Sequence, residues 1–319
     1  MAALGMHEAA RKLLSDSHAN YPHESDLIEG KKSITPTKFL VVGKDSEITT
    51  VSDAIKRAPS GAEILVHPGI YRESLYIDKA LTLRCTGVSD YEAIRSLDNS
   101  DEFNWAEIRA VGDFAITCHS KMNAGKAAHI VGFKITFDAP PENNFHAVFV
   151  RNGTVVFRNC TITSSSGPAV CARYAASKII MQACAIHSGS QGGIIAVDGA
   201  KLSLHQTHCC HNAASGLELR TRAFASLEGC HFYNNGLQGI VLWKSAGELT
   251  AKHCDIHSHP CESGMVVSKA KATFSGCKFY GNYLCGAVTQ DKGVLRMFEC
   301  EVHVTTMKEF SFCQMVARS

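Results

Sequence analysis

Along residues 157–303, apolar and polar side chains alternate over runs of three to five residues, and the runs return at a fixed interval. Cys160, Cys184, His208, Cys230, Cys254, Cys277 and Cys300 stand 22 to 24 residues apart. Two places after each comes an apolar residue: Ile162, Ile186, Cys210, Phe232, Ile256, Phe279 and Val302. Three places before stand Phe157, Met181, Leu227, Ala251, Phe274 and Met297, with the His208 repeat out of step. A short polar turn follows each cysteine. A glycine then opens another alternating run, as in Gly193-Ile-Ile-Ala, Gly216-Leu-Glu-Leu, Gly239-Ile-Val-Leu and Gly264-Met-Val-Val. Alternation of period two is the pattern of a strand with one covered face.

A unit of about 23 residues holding three short strands has no second layer to cover its apolar face, so it cannot fold alone. Stacking the units solves this, each strand pairing with its equivalent one coil away. The pattern therefore predicts an all-β chain: a single-stranded right-handed parallel β-helix, or solenoid, of about ten to twelve coils over residues 39–310. Its hand follows from the crossover rule. Residues 1–38 read as an N-terminal helix and extended tail, and 311–319 as a C-terminal tail. At the front, Thr50 followed by Asp53 marks a helix N-cap and Pro59 a stop, with Val51, Ala54, Ile55 and Ala58 on one face. A short helix there caps the open end of the first coil.

Composition narrows the function classes. The 319 residues carry 32 basic and 30 acidic side chains, a formal charge of +2, which argues against a nucleic-acid partner. No run of 18 apolar residues exists to span a membrane. The 14 cysteines could signal disulfides or metal. On the repeat, however, they become a column of small buried thiols, the expected state in a reducing compartment. The first residues lack a secretory pattern, so the expected location is cytoplasmic. No metal site or cofactor is expected: no CxxC pair occurs, and Cys209 and Cys210 point to opposite faces of a strand.

The front end reads Phe39-Leu-Val-Val-Gly, the capping helix, Glu63-Ile-Leu-Val-His-Pro-Gly-Ile-Tyr-Arg-Glu, and Leu81-Thr-Leu-Arg-Cys-Thr-Gly. This order resembles the opening of the pectin lyase-like superfamily, especially pectinesterases, and the likeness continues through Gly132-Phe-Lys-Ile-Thr-Phe to Phe157-Arg-Asn-Cys-Thr-Ile. The later coils, such as residues 230–243, resemble the carbohydrate-binding-and-sugar-hydrolase repeats of eukaryotic β-helix proteins, including F-box β-helix ubiquitin-ligase adaptors and SHC-binding spindle and midbody proteins. The chain departs from pectinesterases where chemistry is expected. Ser164-Ser-Ser-Gly stands in place of the acid-bearing Gln-Asp-Thr segment, and Lys178-Ile-Ile-Met-Gln in place of the nucleophile segment. Serine and isoleucine cannot replace two working carboxylates, so no catalytic residue is assigned.

Several outward rows are candidates for contact. His187, His211, Tyr233, His257, Tyr280 and His303 form one row, read as a stacked turn ladder, with His187 and His211 the best pair for an ion. Asn212, Asn234, Asn235 and Asn282 read as hydrogen-bonding turn formers. Asp90, Glu92, Asp98, Asp101 and Glu102 make an acidic loop against Arg95. Arg220, Arg222, Lys244, Lys269 and Lys271 make a weak basic strip, and Trp243 is the best exposed anchor beside it. These six residues are the candidate protein-binding surface. The function expected from sequence is a non-catalytic intracellular scaffold binding other proteins, and the resemblance points to cytoskeletal, ciliary or spindle assemblies. The alternative is a carbohydrate-active enzyme, a lyase, epimerase or esterase, with an unrecognised site.

Overall fold

A computed structural model of the chain describes residues 39–303 apart from 89–91, 96, 98–103, 111, 113, 120–125 and 244. The expected N-terminal helix, the C-terminal tail, most of the acidic loop and Lys244 lie outside the described residues. Every strand pair is parallel, and each strand pairs with its equivalent in the next coil. Three faces result. Sheet A runs from Phe39–Val42 to Val294–Phe298, sheet B from Gly69–Tyr71 to Glu301–Val302, and sheet C from Leu75–Ile77 to Ala287–Gln290. Among the described residues sheet B has ten strands, one per coil. The long strand His146–Arg158 bends from sheet C into sheet A, where it pairs with neighbours in both.

Helix Val51–Arg57 forms where the sequence places it. The Thr50 hydroxyl accepts from the Asp53 N–H, and Val51, Ala54 and Ile55 are buried. The Glu73 carboxylate accepts the N–H groups of Val51 and Ser52 at 2.8 Å each, which satisfies the exposed first turn.

The core is a set of columns parallel to the axis. On sheet A, Phe157, Met181, Leu204, Leu227, Ala251 and Phe274 stack in register, and on sheet B, Ile162, Ile186, Cys209, Phe232, Ile256 and Phe279 do the same. All are buried. Between sheets A and B the chain turns through one left-handed residue per coil: Asn159, Ala183, Gln206, Gly229, His253, Gly276 and Glu299, with φ between 45° and 61°. The next residue fills the inside of the corner: Cys160, Cys184, Thr207, Cys230, Cys254, Cys277 and Cys300.

This corrects one rung of the repeat. Thr207, not His208, occupies the corner, and Cys209, not Cys210, is its inward partner, because His208 pairs outward between Ala185 and His231. The corner needs a small side chain that can donate to the carbonyl two residues back. Cys184, Cys230 and Cys254 do this with a thiol at 3.2–3.4 Å, and Thr207 does it with a hydroxyl at 2.9 Å to His205. The thirteen described cysteines are free thiols, ten of them buried.

A second ladder runs inside the turn between sheets B and C. Asn212, Asn235 and Asn282 are buried, and their amides donate to the carbonyls of Ile186, Cys209 and Ile256 at 3.0–3.3 Å. Asn234 instead lies in the outer, left-handed part of its turn. His259 takes the rung between Asn235 and Asn282. Its Nδ1 lies 3.2 Å from the Asn235 N and 3.4 Å from the Asn235 carbonyl oxygen, and Nε2 is buried with no hydrogen bond. The glycine opening each sheet C strand leaves room for this ladder. A Cβ on Gly216 would stand 2.8 Å from Asn235 Nδ2, and one on Gly239 would stand 2.4 Å from His259 Nε2.

Two outcomes test these ladders. Thr207→Cys should leave the unfolding midpoint nearly unchanged. Thr207→Val, equal in shape but without a donor, should lower stability by about 1 kcal/mol in chemical denaturation. Burial drives the imidazoles of His187, His257 and His259 down to about 4 and that of His208 to about 3. They are neutral in the fold but take protons once unfolded below about pH 6.5, so stability is complete above that pH and is lost as pH falls toward 4. The loss should reach about 1 kcal/mol per imidazole at pH 5.5, and less for the more exposed His257. His259→Asn should raise the midpoint at neutral pH and flatten this slope, as read from thermal melts between pH 7.5 and 5.

Candidate functional site

The outer face of sheet C carries a long groove of about 1270 Å³. Its floor follows from strand register. Phe149, Cys171, Ile195, Glu218, Val241, Val266 and Val288 lie one per coil in a single outward column. Six steps of ~4.8 Å make this column about 29 Å long. Two residues further along each strand a second column begins with Arg151, whose guanidinium lies 5.8 Å from the Phe149 ring centroid, and continues with Arg173, Val197, Arg220 and Trp243, and beyond them Ser268 and Gln290. Turn residues Gln191, Ser215, Gln238 and Glu262 form the opposite rim.

Glu218 is the one charged residue in an otherwise apolar floor column, and its neighbours answer it. The Arg220 guanidinium pairs with its carboxylate, and the Trp243 indole N–H donates to the same oxygen. Arg220 also lies 5.1 Å from the centroid of the Trp243 ring, a cation–π contact. Trp243 remains 39 % exposed while Leu242 is fully buried, so the alternation places the indole outward, over the groove. Two coils earlier, Arg173 pairs with Asp198 at 3.1 Å. Burial pushes the Cys171 thiol up to about 12, which makes it an inert part of the floor. The groove thus offers a fixed aromatic face, two arginine–carboxylate pairs and amide-bearing side chains on a rigid sheet.

The structure divides the expected basic strip. Arg220 and Trp243 meet at Glu218 in the groove. Arg222, at φ 60°, and Lys269, at φ 51°, sit in the left-handed turns leading from sheet C to sheet A. Lys269 and Lys271 line a separate, shallower depression of about 790 Å³ with Phe224 and Val294. Lys244 lies outside the described residues. The sequence did not mark Glu218, Arg173 and Asp198 as parts of one site, since they come from three coils with no shared motif.

Residues 121–279 match the family model described as "Right handed beta helix region". The chain is a right-handed parallel β-helix. That is the fold implied by the resemblance to the pectin lyase-like superfamily. No curated protein matches the sequence. Among solved structures, the β-helix is similar to the deglycosylated pectin methylesterase from Aspergillus niger, at 13% identity over 85% of this chain and 88% of that one, with a TM-score of 0.49. It is similar to pectate lyase Pel9A at 12% identity, 89% and 82% coverage and a TM-score of 0.48. The A-module of the mannuronan C-5 epimerase AlgE4 from Azotobacter vinelandii matches at 12% identity, 78% and 88% coverage and a TM-score of 0.39.

Elsewhere on the β-helix the candidate residues do structural work. Ser165 and Ser166 donate from their hydroxyls to the carbonyls of Ala139 and Pro140 at 2.8 and 3.1 Å. On the outer face of sheet B the row reads His187, Cys210, Tyr233, His257 and Tyr280, because the shifted rung puts Cys210 where His211 was expected. Tyr233, His257 and Tyr280 stack within 6° of parallel, with centroids 5.2 and 4.5 Å apart. His187 Nε2 lies 2.9 Å from the Thr161 hydroxyl. Among the described residues, no group of three or more His, Cys, Asp or Glu side chains converges as a metal site, and no helix is long and apolar enough to cross a membrane. Each aromatic pair in the row contributes about 0.5–1.5 kcal/mol. His257→Ala removes two such pairs and should lower stability by about 1–2 kcal/mol in chemical denaturation.

Proposed function

We propose that the groove on sheet C binds an extended carbohydrate chain laid along the solenoid axis, with Trp243 as its stacking anchor. The observation that carries this reading is the state of Trp243. It stands beside the midpoint of a long groove, exposed on one side and held on the other by Glu218 and Arg220. A preset aromatic face with planar polar groups around it suits a ligand that has an apolar ring face and a belt of hydroxyls. Since the indole is already immobilised, little side-chain entropy is lost on binding. Glu218, Asp198, Gln238 and Gln290 supply acceptors, and the arginines and amides supply donors. The reading is one of binding without turnover. Glu218, which touches the Trp243 indole, and Asp198 are each engaged by a guanidinium, which orients them and withdraws them from acid–base work.

A second reading, protein binding, draws on the aliphatic floor. Ile195, Val241, Val266 and Val288 form a strip that would also take the side chains of an extended peptide segment. This is the scaffold function expected from sequence, moved from the basic strip to the groove.

Titration of tryptophan fluorescence with oligosaccharides of different linkage separates the two. Binding by at least one saccharide, weakened roughly 10- to 30-fold by Trp243→Ala and unchanged in Lys269→Ala/Lys271→Ala, is expected. Saturable binding of peptides with no saccharide response would favour the scaffold. Release of reducing ends or unsaturated product during the same incubation would overturn the non-catalytic part of the proposal.

A further inference from the structure

We infer that the sheet C groove selects uncharged sugar chains over polyuronates; this rests on the carbohydrate reading of the groove. The basis is the accounting of charge inside it. The described residues lining the groove include two guanidinium groups, those of Arg173 and Arg220, and no lysine. Both guanidiniums are engaged: Arg173 with Asp198 at 3.1 Å, and Arg220 with Glu218. Glu262 adds a third carboxylate on the rim, so the groove's own side chains sum to one net negative charge. Burial lowers the pKa of His146, the imidazole at the groove's early end, so it adds no cation at neutral pH.

A polyuronate brings one carboxylate per sugar. To reach either arginine, that carboxylate must approach a guanidinium that already holds one, placing two like charges on one partner in a partly desolvated site. Among the described residues, the one further cation along this column is Arg151, which lies over the Phe149 ring at the early end of the floor, four coils from Trp243. Lys269, Lys271 and Lys292 belong to the separate depression beyond the sheet C to sheet A turn. No acidic cluster among the described residues is arranged to hold a bridging cation. A neutral sugar meets the opposite situation. Its hydroxyls donate to Glu218 and Asp198 without displacing the arginines, and its C–H face lies on Trp243 and the aliphatic floor. Paired charges of this kind suit ligands that donate and accept hydrogen bonds but carry no charge of their own.

The experiment is calorimetric titration of the full chain with hexasaccharides of equal length. The neutral set is cellohexaose, mannohexaose and chitohexaose; the anionic set is hexagalacturonate and hexamannuronate. Each is measured at 20 and 200 mM NaCl. At least one neutral hexamer should bind with a Kd that salt leaves unchanged, and both hexauronates should bind tenfold or more weakly. Glu218→Gln releases Arg220 and Asp198→Asn releases Arg173, so either variant should strengthen hexauronate binding while weakening the neutral ligand. The second variant decides the matter if the first fails to fold. Hexauronate binding to the unaltered chain as tight as the neutral ligand, with a Kd that rises steeply with salt, overturns the charge selection and leaves the carbohydrate reading standing. No response to any of the five saccharides overturns the carbohydrate reading itself.

Discussion

Parallel pairing from coil to coil is the constraint on which the rest of the structure depends. Each residue lies ~4.8 Å from its equivalent in the next coil. Whatever a position must do, its equivalents must therefore do again, against one another, along the whole axis. The left-handed corner between sheets A and B shows the result. It repeats in seven coils at φ 45–61°, in residues as unlike as Asn159, Ala183, His253 and Glu299. The side chain is free to vary there because it points away, while the backbone bend is not. The next residue faces inward and is restricted to Cys or Thr, small side chains that give one hydrogen bond to a carbonyl the bend exposes.

The same constraint explains which parts of the molecule the sequence discloses. Inward columns show because burial demands apolar side chains at a fixed interval, and Ile162, Ile186, Phe232, Ile256 and Phe279 obey it. Thr207 escaped because a hydroxyl and a thiol do the same work in the corner but look unlike, and His208 beside it completed the spacing by chance. His259 escaped for a related reason. It occupies an asparagine rung using one ring nitrogen, and nothing in its type distinguishes it from the outward histidines. The groove was less legible still. An outward position on a solenoid is under no packing rule, so Arg173, Asp198, Glu218 and Trp243 form no motif. Their association depends on register counted across coils. The basic strip is divided by local geometry: Arg222 and Lys269 follow strands whose ends bend through left-handed residues, and this carries them around the edge from Arg220.

Placement on a sheet gives the groove its precision. A site built on loops must order them when ligand arrives, whereas strands Leu217–Arg220 and Ile240–Trp243 are already fixed by hydrogen bonds to neighbours on both sides. The inward residues of these strands, Leu217, Leu219, Ile240 and Leu242, are fully buried, so the outward side chains cannot shift by sliding the backbone. The walls are the turns, whose backbone the buried asparagine ladder holds from within.

Glu218 is the residue that packing alone does not explain. Its column equivalents are Phe149, Cys171, Ile195, Val241, Val266 and Val288, any of which would serve the sheet as well. A carboxylate in that column is largely removed from water, its side chain only 16% exposed, and such a group is unfavourable unless paired. Pairing it engages Arg220, and the indole N–H of Trp243 adds a second donor, so three outward positions on two strands are committed to one another. As a structural device the cluster is a poor substitute for three aliphatic side chains. As a means of fixing a tryptophan face in the middle of a 29 Å floor, beside carboxylate and amide acceptors, it does what no aliphatic column could. A buried polar group in an apolar row is thus more informative about function than the exposed lysines outside it.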